Sequence, residues 1–140
     1  MAPHCLKLMS RIRRLSWSPL FGEYLMVKIS ILYTNKQGSR FDMSHYINTH
    51  MPMSIERLST HAGFKGVSVV RGMGGGMPGS EPAYVAMCQY LFDSLEDFLA
   101  AFNPHAAFLQ ADMVNYTDMQ PIIQISAVEI FIPCQLSDID

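Results

Sequence analysis

Residues 27–33, Val27-Lys28-Ile29-Ser30-Ile31-Leu32-Tyr33, set Val27, Ile29, Ile31 and Tyr33 in alternation with Lys28, Ser30 and Leu32. A period of two over that length predicts a strand. Working outward, 34–40 holds Asn35 and Gly38 and reads as a loop. Asp42 or Ser44 then caps a helix running towards Leu58. A turn at His61-Ala62-Gly63 leads into a second strand over 66–71. The Gly/Pro-rich stretch 72–82 is a loop, and 83–92 is a third strand. Ser94-Leu95-Glu96-Asp97 resembles a capping box with Asp97 in place of Glu or Gln. Leu95, Phe98, Leu99 and Phe102 follow at helical spacing. Asn103-Pro104 breaks that helix and starts another, to about Met113, with Asn103 as its cap and Pro104 at its first position. After a loop over 114–121, residues 122–132 form the fourth strand, and Pro133 opens a polar tail over 133–140.

The order β-α-β-β-α-β is the ferredoxin-like split βαβ arrangement, an α+β fold with both helices on one face of an antiparallel sheet. The third strand is apolar on both faces, with Tyr84, Ala86, Cys88, Tyr90 and Phe92 on one and Ala83, Val85, Met87 and Leu91 on the other. The second face needs cover, and a second copy of the sheet supplies it, which predicts a homodimer.

The chain has 140 residues, 10 Lys+Arg and 12 Asp+Glu, with 49% hydrophobic and 16% charged residues. That excludes an intrinsically disordered chain. The near-neutral charge argues against nucleic acid as a partner, because such binding needs a basic face. No apolar run approaches the roughly 18 residues of a membrane span, so no membrane partner is expected. The charge is uneven: residues 1–25 carry Lys7, Arg11, Arg13 and Arg14 against Glu23, whereas residues 26–140 carry 6 basic and 11 acidic residues. The first segment lacks the apolar core of a secretory signal. It reads as a basic, poorly ordered extension ahead of a start at Met26, or as an Arg-rich transit peptide. Cys5, Cys88 and Cys134 are too scattered for a disulfide framework or a zinc site, which favours a reducing, cytoplasmic setting. The 11 Met residues suit either core filling or an adaptable apolar pocket.

On a helical wheel at about 100° per residue, with Met43 at 0°, His50 falls near 340° inside the apolar stripe and Tyr46 near 300° on the same face. His45, near 200°, is expected to face solvent, about 140° from His50 and wrongly placed to share a metal with it. A histidine in an apolar stripe is either a hydrogen-bonded core residue or a neutral base able to move a proton near neutral pH. Pro52 cannot donate to Asn48, so a kink is expected near His50. His105, Phe108 and Asp112 share a face of the last helix. His105 and Asp112 are about 10 Å apart along it, so they could only flank a common pocket. A helix N-terminus disfavours a protonated His105, which is otherwise a local cap or packing residue. Asn115-Tyr116-Thr117-Asp118 is either a turn or a ligand-orienting rim. The run Gly74-Gly75-Gly76-Met77-Pro78-Gly79 fits G-x-G-x-x-G but joins two strands, so it is expected to be a mobile flap and no dinucleotide site. No P-loop or hydrolase elbow occurs.

Four segments together resemble the EthD family, named for ethyl tert-butyl ether degradation: 27–33, Phe41-Asp42 through His50-Met51-Pro52, 101–106 with Pro104-His105-Ala106, and 115–118 with Gln120-Pro121. The resemblance spans about residues 26–130 and implies a dimeric α+β barrel with a pocket between sheet and helices. EthD-like proteins accompany a cytochrome P-450 monooxygenase system, and similar fungal domains act as cofactor-free dehydratases or decarboxylases. Relatives of the barrel include isomerases, quinone-forming monooxygenases and haem enzymes, so fold does not choose the reaction. The resulting expectation is a homodimer, without metal or other cofactor, that binds a small apolar or aromatic molecule. It would serve a degradative or secondary-metabolic oxidation pathway by proton transfer, of dehydratase, decarboxylase, isomerase or cofactor-free oxygenase type. His50 and His105 are the candidate catalytic residues, with Tyr46, Asp112, Asn115 and Tyr116 against the substrate. The alternatives are a non-catalytic accessory or carrier protein of a cytochrome P-450 system and a haem-dependent oxidoreductase.

Overall fold

The computed structural model describes residues 26–133, so the expected basic extension and all but the first residue of the polar tail lie outside the described residues. Four strands, β1 (Val27–Thr34), β2 (Phe64–Arg71), β3 (Tyr84–Phe92) and β4 (Ile122–Ala127), form one sheet in the order β2-β3-β1-β4. Every neighbouring pair is antiparallel. Helix α1 spans residues 43–58 as an α-turn at Met43–His45, a π-turn at Tyr46–His50 and a regular segment at Met51–Leu58. Helix α2 is Leu95–Phe102 and α3 is Ala106–Asp112, with tight 3-10 turns at Asn103–His105 and Met113–Asn115 on either side of α3. The predicted β-α-β-β-α-β order is present.

Local signals explain the starts of the helices. The Asp42 carboxylate accepts the His45 N–H at 3.0 Å, and the Ser94 hydroxyl accepts the Asp97 N–H at 3.0 Å. Both satisfy a donor that the first helical turn leaves without a partner. Asn103 does not open a new helix; it is the last residue held by α2, its N–H bonded to the Leu99 carbonyl, and it continues into the 3-10 turn. Strand β4 is shorter than its apolar run, ending at Ala127. Val27 pairs with Ala127, and beyond that, among the described residues, the Val128 N–H reaches back to the Met26 carbonyl.

The core lies between the helices and one face of the sheet. Ile29 and Tyr33 of β1, with Ala86, Cys88, Tyr90 and Phe92 of β3, are buried against Tyr46, Met51 and Leu58 of α1 and Phe98 and Ala101 of α2. The other face is less uniform than the two-sided apolar pattern predicts. Val70, Met87, Leu32 and Ile122 form an apolar row across all four strands, but the next row is Ser68, Gln89, Ser30 and Gln124. The register places polar Gln89 between Met87 and Leu91, so this face is striped, not continuously apolar. At the β4 edge the helices do not reach far enough to cover Ile123 and Ile125, which stay exposed. Among the described residues no helix is long and apolar enough to cross a membrane.

Candidate functional site

The site is organised by the π-turn of α1. Its defining bond runs from the Met51 N–H to the Tyr46 carbonyl, five residues back, and Pro52 directly beyond has no N–H to continue an α pattern. A turn closed by an i→i+5 bond is wider than the 3.6-residue α-turn, so it narrows the angle of about 140° that a regular α-helix leaves between side chains five apart. His45 and His50 therefore come to one side of α1, and both reach Asp112 at the end of α3. The expectation that His45 faces solvent is overturned: its Nε2 lies 3.0 Å from Asp112 Oδ2, and its ring stacks on Tyr116. The uniform wheel fails because the helix is not uniform.

Asp112 collects three donors. His50 Nδ1 is 2.9 Å from Oδ2, His45 Nε2 is bonded as above, and the Asn115 amide donates to Oδ1 at 2.9 Å. An ionised carboxylate only accepts, so each histidine presents an N–H to it, which fixes His50 with its proton on Nδ1 and a lone pair on Nε2. That lone pair faces the Tyr116 hydroxyl at 3.4 Å, and the Tyr116 hydroxyl shares a 2.7 Å hydrogen bond with Tyr33. The result is a buried line of carboxylate, imidazole, phenol and phenol.

Tyr116 is held in place from outside the line. The Asp42 N–H bonds the Tyr116 carbonyl, Thr117 forms a bridge with Phe41, and the Arg40 N–H donates to Asp118 Oδ1 at 2.9 Å. The 115–118 segment is thus pinned along the start of α1, with Tyr116 buried and Asp118 exposed.

Burial sets the protonation of these groups. Loss of water outweighs the Asp112 hydrogen bond at His50 and lowers its pKa, leaving a neutral imidazole. At Asp112 burial pushes the carboxyl up, but the hydrogen bonds from Asn115, His50 and His45 outweigh it and hold the group below its ordinary range. Burial raises Tyr33, Tyr46, Tyr90 and Tyr116, and pushes the Cys88 thiol up to about 12. The phenols are neutral donors.

A cavity of about 530 Å³ lies between the sheet and the helices, within the roughly 300–1,000 Å³ of small-molecule sites. Its apolar wall includes Ile31, Phe98, Phe102, Leu109, Met113 and Ile123, and its polar wall includes Tyr33, Tyr46, His50, Ser54, Tyr90 and Tyr116. Ser54 and Tyr90 satisfy each other at 2.6 Å, whereas the buried Tyr46 hydroxyl has no partner among the described residues.

Of the residues singled out in the sequence, Tyr46, His50, Tyr116, Thr117 and Asp118 line the cavity. The Tyr46 ring lies nearly parallel to His50 with centroids 6.0 Å apart, but it is Asp112 that orients the imidazole. Asp112 and Asn115 stand behind the two histidines, outside the cavity wall. His105 is half-buried in the 3-10 turn before α3 and meets neither the cavity nor Asp112. Tyr33, Ser54, Cys88, Tyr90 and Gln110 line the cavity without having been singled out for it; for the strand residues the only signal was an inward position. The 72–82 loop lines none of it.

Among the described residues no group of His, Cys, Asp and Glu is arranged to hold a metal ion. A haem on His50 would have to bind through Nε2, since Nδ1 is bonded to Asp112, and the Tyr116 hydroxyl stands 3.4 Å in front of that nitrogen.

Sheet, helices and cavity together define a ferredoxin-like α+β protein with a cavity under its helical layer. Residues 39–120 match the EthD domain, and the chain belongs to the EthD family. An EthD-like protein from Ralstonia eutropha JMP134 is 39% identical in sequence, with a TM-score of 0.70 over 76% of this chain and 95% of its own. An ethyl tert-butyl ether (EthD) family protein from Bacillus halodurans C-125 is 24% identical, with a TM-score of 0.52 over 72% of this chain and 96% of its own, a likeness of fold. No curated protein matches the chain.

Proposed function

We propose that this EthD-family protein binds a small apolar or aromatic compound in the cavity and moves a proton on it with His50. The observation that carries the reading is the contact of His50 Nδ1 with Asp112 at 2.9 Å in a helix turn that a regular α-helix could not form. Asp112 holds the proton on Nδ1, so Nε2 is free to accept one, either from Tyr116 or from an acidic C–H or O–H of a ligand. The carboxylate would then stabilise the imidazolium that forms. Tyr116, kept neutral by burial, can donate to a ligand oxygen and be resupplied through His50 or Tyr33. Such an arrangement serves dehydration, decarboxylation or isomerisation, in keeping with a degradative or secondary-metabolic pathway. A second copy seated on the striped sheet face, where Val70 and Ile122 are exposed, would give the homodimer expected of the sequence.

The test begins with native mass spectrometry of the protein from its own host, which reports dimer mass and any retained compound together. That compound is then incubated with protein in D2O. Wild type should convert it or exchange a proton for deuterium, and His50→Gln should slow this by about 10²-fold or more. Equal turnover and equal affinity in His50→Gln would remove the catalytic role. Binding without turnover in either protein would favour the carrier reading.

A further inference from the structure

One carboxylate serves two histidines of unlike exposure. His45 Nε2 lies 3.1 Å from Asp112 Oδ1 and 3.0 Å from Oδ2, and His50 Nδ1 lies 2.9 Å from the same Oδ2. The two ring nitrogens are therefore no more than about 6 Å apart. The His45 side chain is 25% accessible and that of His50 only 10%. With its Nε2 proton given to Asp112, His45 keeps a lone pair on Nδ1, and that atom takes any further proton.

The single charge of Asp112 cannot neutralise two imidazolium rings. While His45 is neutral, the whole carboxylate charge is available to a proton on His50. Once His45 is charged, the two rings share it and repel each other. At this separation the repulsion amounts to about half a pH unit in water and about two at the lower dielectric near a protein surface. The charge of His45 is accordingly among the influences that lower the pKa of His50. Other groups around the pair do not supply such a link. The phenols of Tyr46 and Tyr116, which pack on the two rings, are held neutral by burial. Asp42 accepts the His45 backbone N–H, the Arg40 guanidinium donates to the Val114 carbonyl, and Asp118 accepts the Arg40 N–H. All three are exposed and screened by water.

We infer that His45 is a positioning residue that keeps His50 in its base form as pH falls: the accessible ring takes the proton arriving from water, and its charge, held on the shared carboxylate, opposes a second proton on the buried ring. Only the consequence for turnover rests on the proton transfer proposed for His50; the coupling between the rings does not. At neutral pH the full carboxylate charge steadies the imidazolium that His50 forms during a reaction. In acid, His45 absorbs the proton that would otherwise silence the base. The π-turn is what makes this possible, because it brings both rings to one carboxylate.

Protein labelled with 15N-histidine, titrated from about pH 8 to about pH 4.5 and followed by long-range 1H–15N spectra, reads each ring separately. In wild type the His45 signals should move before those of His50. His45→Gln keeps an uncharged N–H donor for Asp112 and removes the titrating ring. In it the midpoint of His50 should rise by about one pH unit, a tenfold gain in proton affinity, while the ring keeps its proton on Nδ1 at high pH. A merely structural His45 would disturb that tautomer and leave the midpoint where it was. Coupling is reciprocal, so His50→Gln should raise the His45 midpoint by the same amount, which gives a second variant should the first not fold. A His50 midpoint unmoved or lowered in His45→Gln overturns the inference. So does His50 taking the first proton in wild type, a result that needs no variant. For a compound that is turned over, the acid limb of the rate should move up with the His50 midpoint. A shifted midpoint with an unmoved acid limb removes His50 as the base and leaves the coupling standing.

Discussion

Replacing Asp112 with alanine takes the acceptor away from three donors at once, and the exposure of each donor sets the cost. The Asn115 amide is exposed, and the His45 side chain is 25% accessible, so both can return to water at little cost. The His50 side chain is only 10% accessible, and its Nδ1–H would be stranded. An unsatisfied buried donor costs about 1–3 kcal/mol, and the lost bond was to a charged group, so about 2–3 kcal/mol of folding stability should disappear. Asp112→Asn keeps one acceptor oxygen in place and should lose only about 1 kcal/mol. The imidazole has one escape: it can move its proton to Nε2 and donate to Tyr116, which then donates to Tyr33. Urea unfolding at pH 7 gives the energies, and the 15N chemical shifts of the His50 ring give the tautomer. A loss below about 0.5 kcal/mol in Asp112→Ala, with the proton still on Nδ1, would refute the assignment of Asp112 as the group that orients His50.

Two further outcomes are expected of the same groups. The pKa of His50 is lower in the folded protein than in the unfolded chain, so its contribution to stability is complete above about pH 6.5 and is lost as pH falls through the folded value. Asp112 is also lowered, and its contribution is lost in the same direction but further into acid. The urea midpoint of wild type should therefore fall between pH 7 and 5 more than that of His50→Gln, and parallel profiles would count against a buried neutral histidine. Tyr46→Phe, without ligand, removes a hydroxyl that has no partner, and should leave stability unchanged or raise it by about 1 kcal/mol. A loss of that size in the same unfolding assay would mean the hydroxyl is bonded in the free protein.

Much of the fold is legible along the chain because strands and helices announce themselves through local periodicity and caps. The alternation from Val27 to Tyr33, the Asp42 and Ser94 caps and the apolar spacing of α2 all depend on residues within a few positions of one another. The length of β4 was not legible, because it depends on pairing with β1, about a hundred residues away in the chain. The polar row through Ser68, Gln89, Ser30 and Gln124 likewise emerges only once the register aligns four strands.

The candidate site divides along the same line. From the sequence alone came His50 in the apolar stripe of α1, Tyr46 one turn before it, and a departure from regular helix ahead of Pro52, all local consequences of side-chain spacing and a missing N–H. Only the tertiary structure showed that this departure is a π-turn, which carries His45 round to the side of His50 and both onto Asp112, over sixty residues further on. The same holds for the inward-turned phenols of β1, β3 and the 115–118 segment, which meet at the cavity from positions that no sequence period connects. A helical period assumes equal rotation at each residue, and a single widened turn breaks that assumption for every side chain beyond it. Hydrogen bonds between distant elements decided which partners the displaced side chains found.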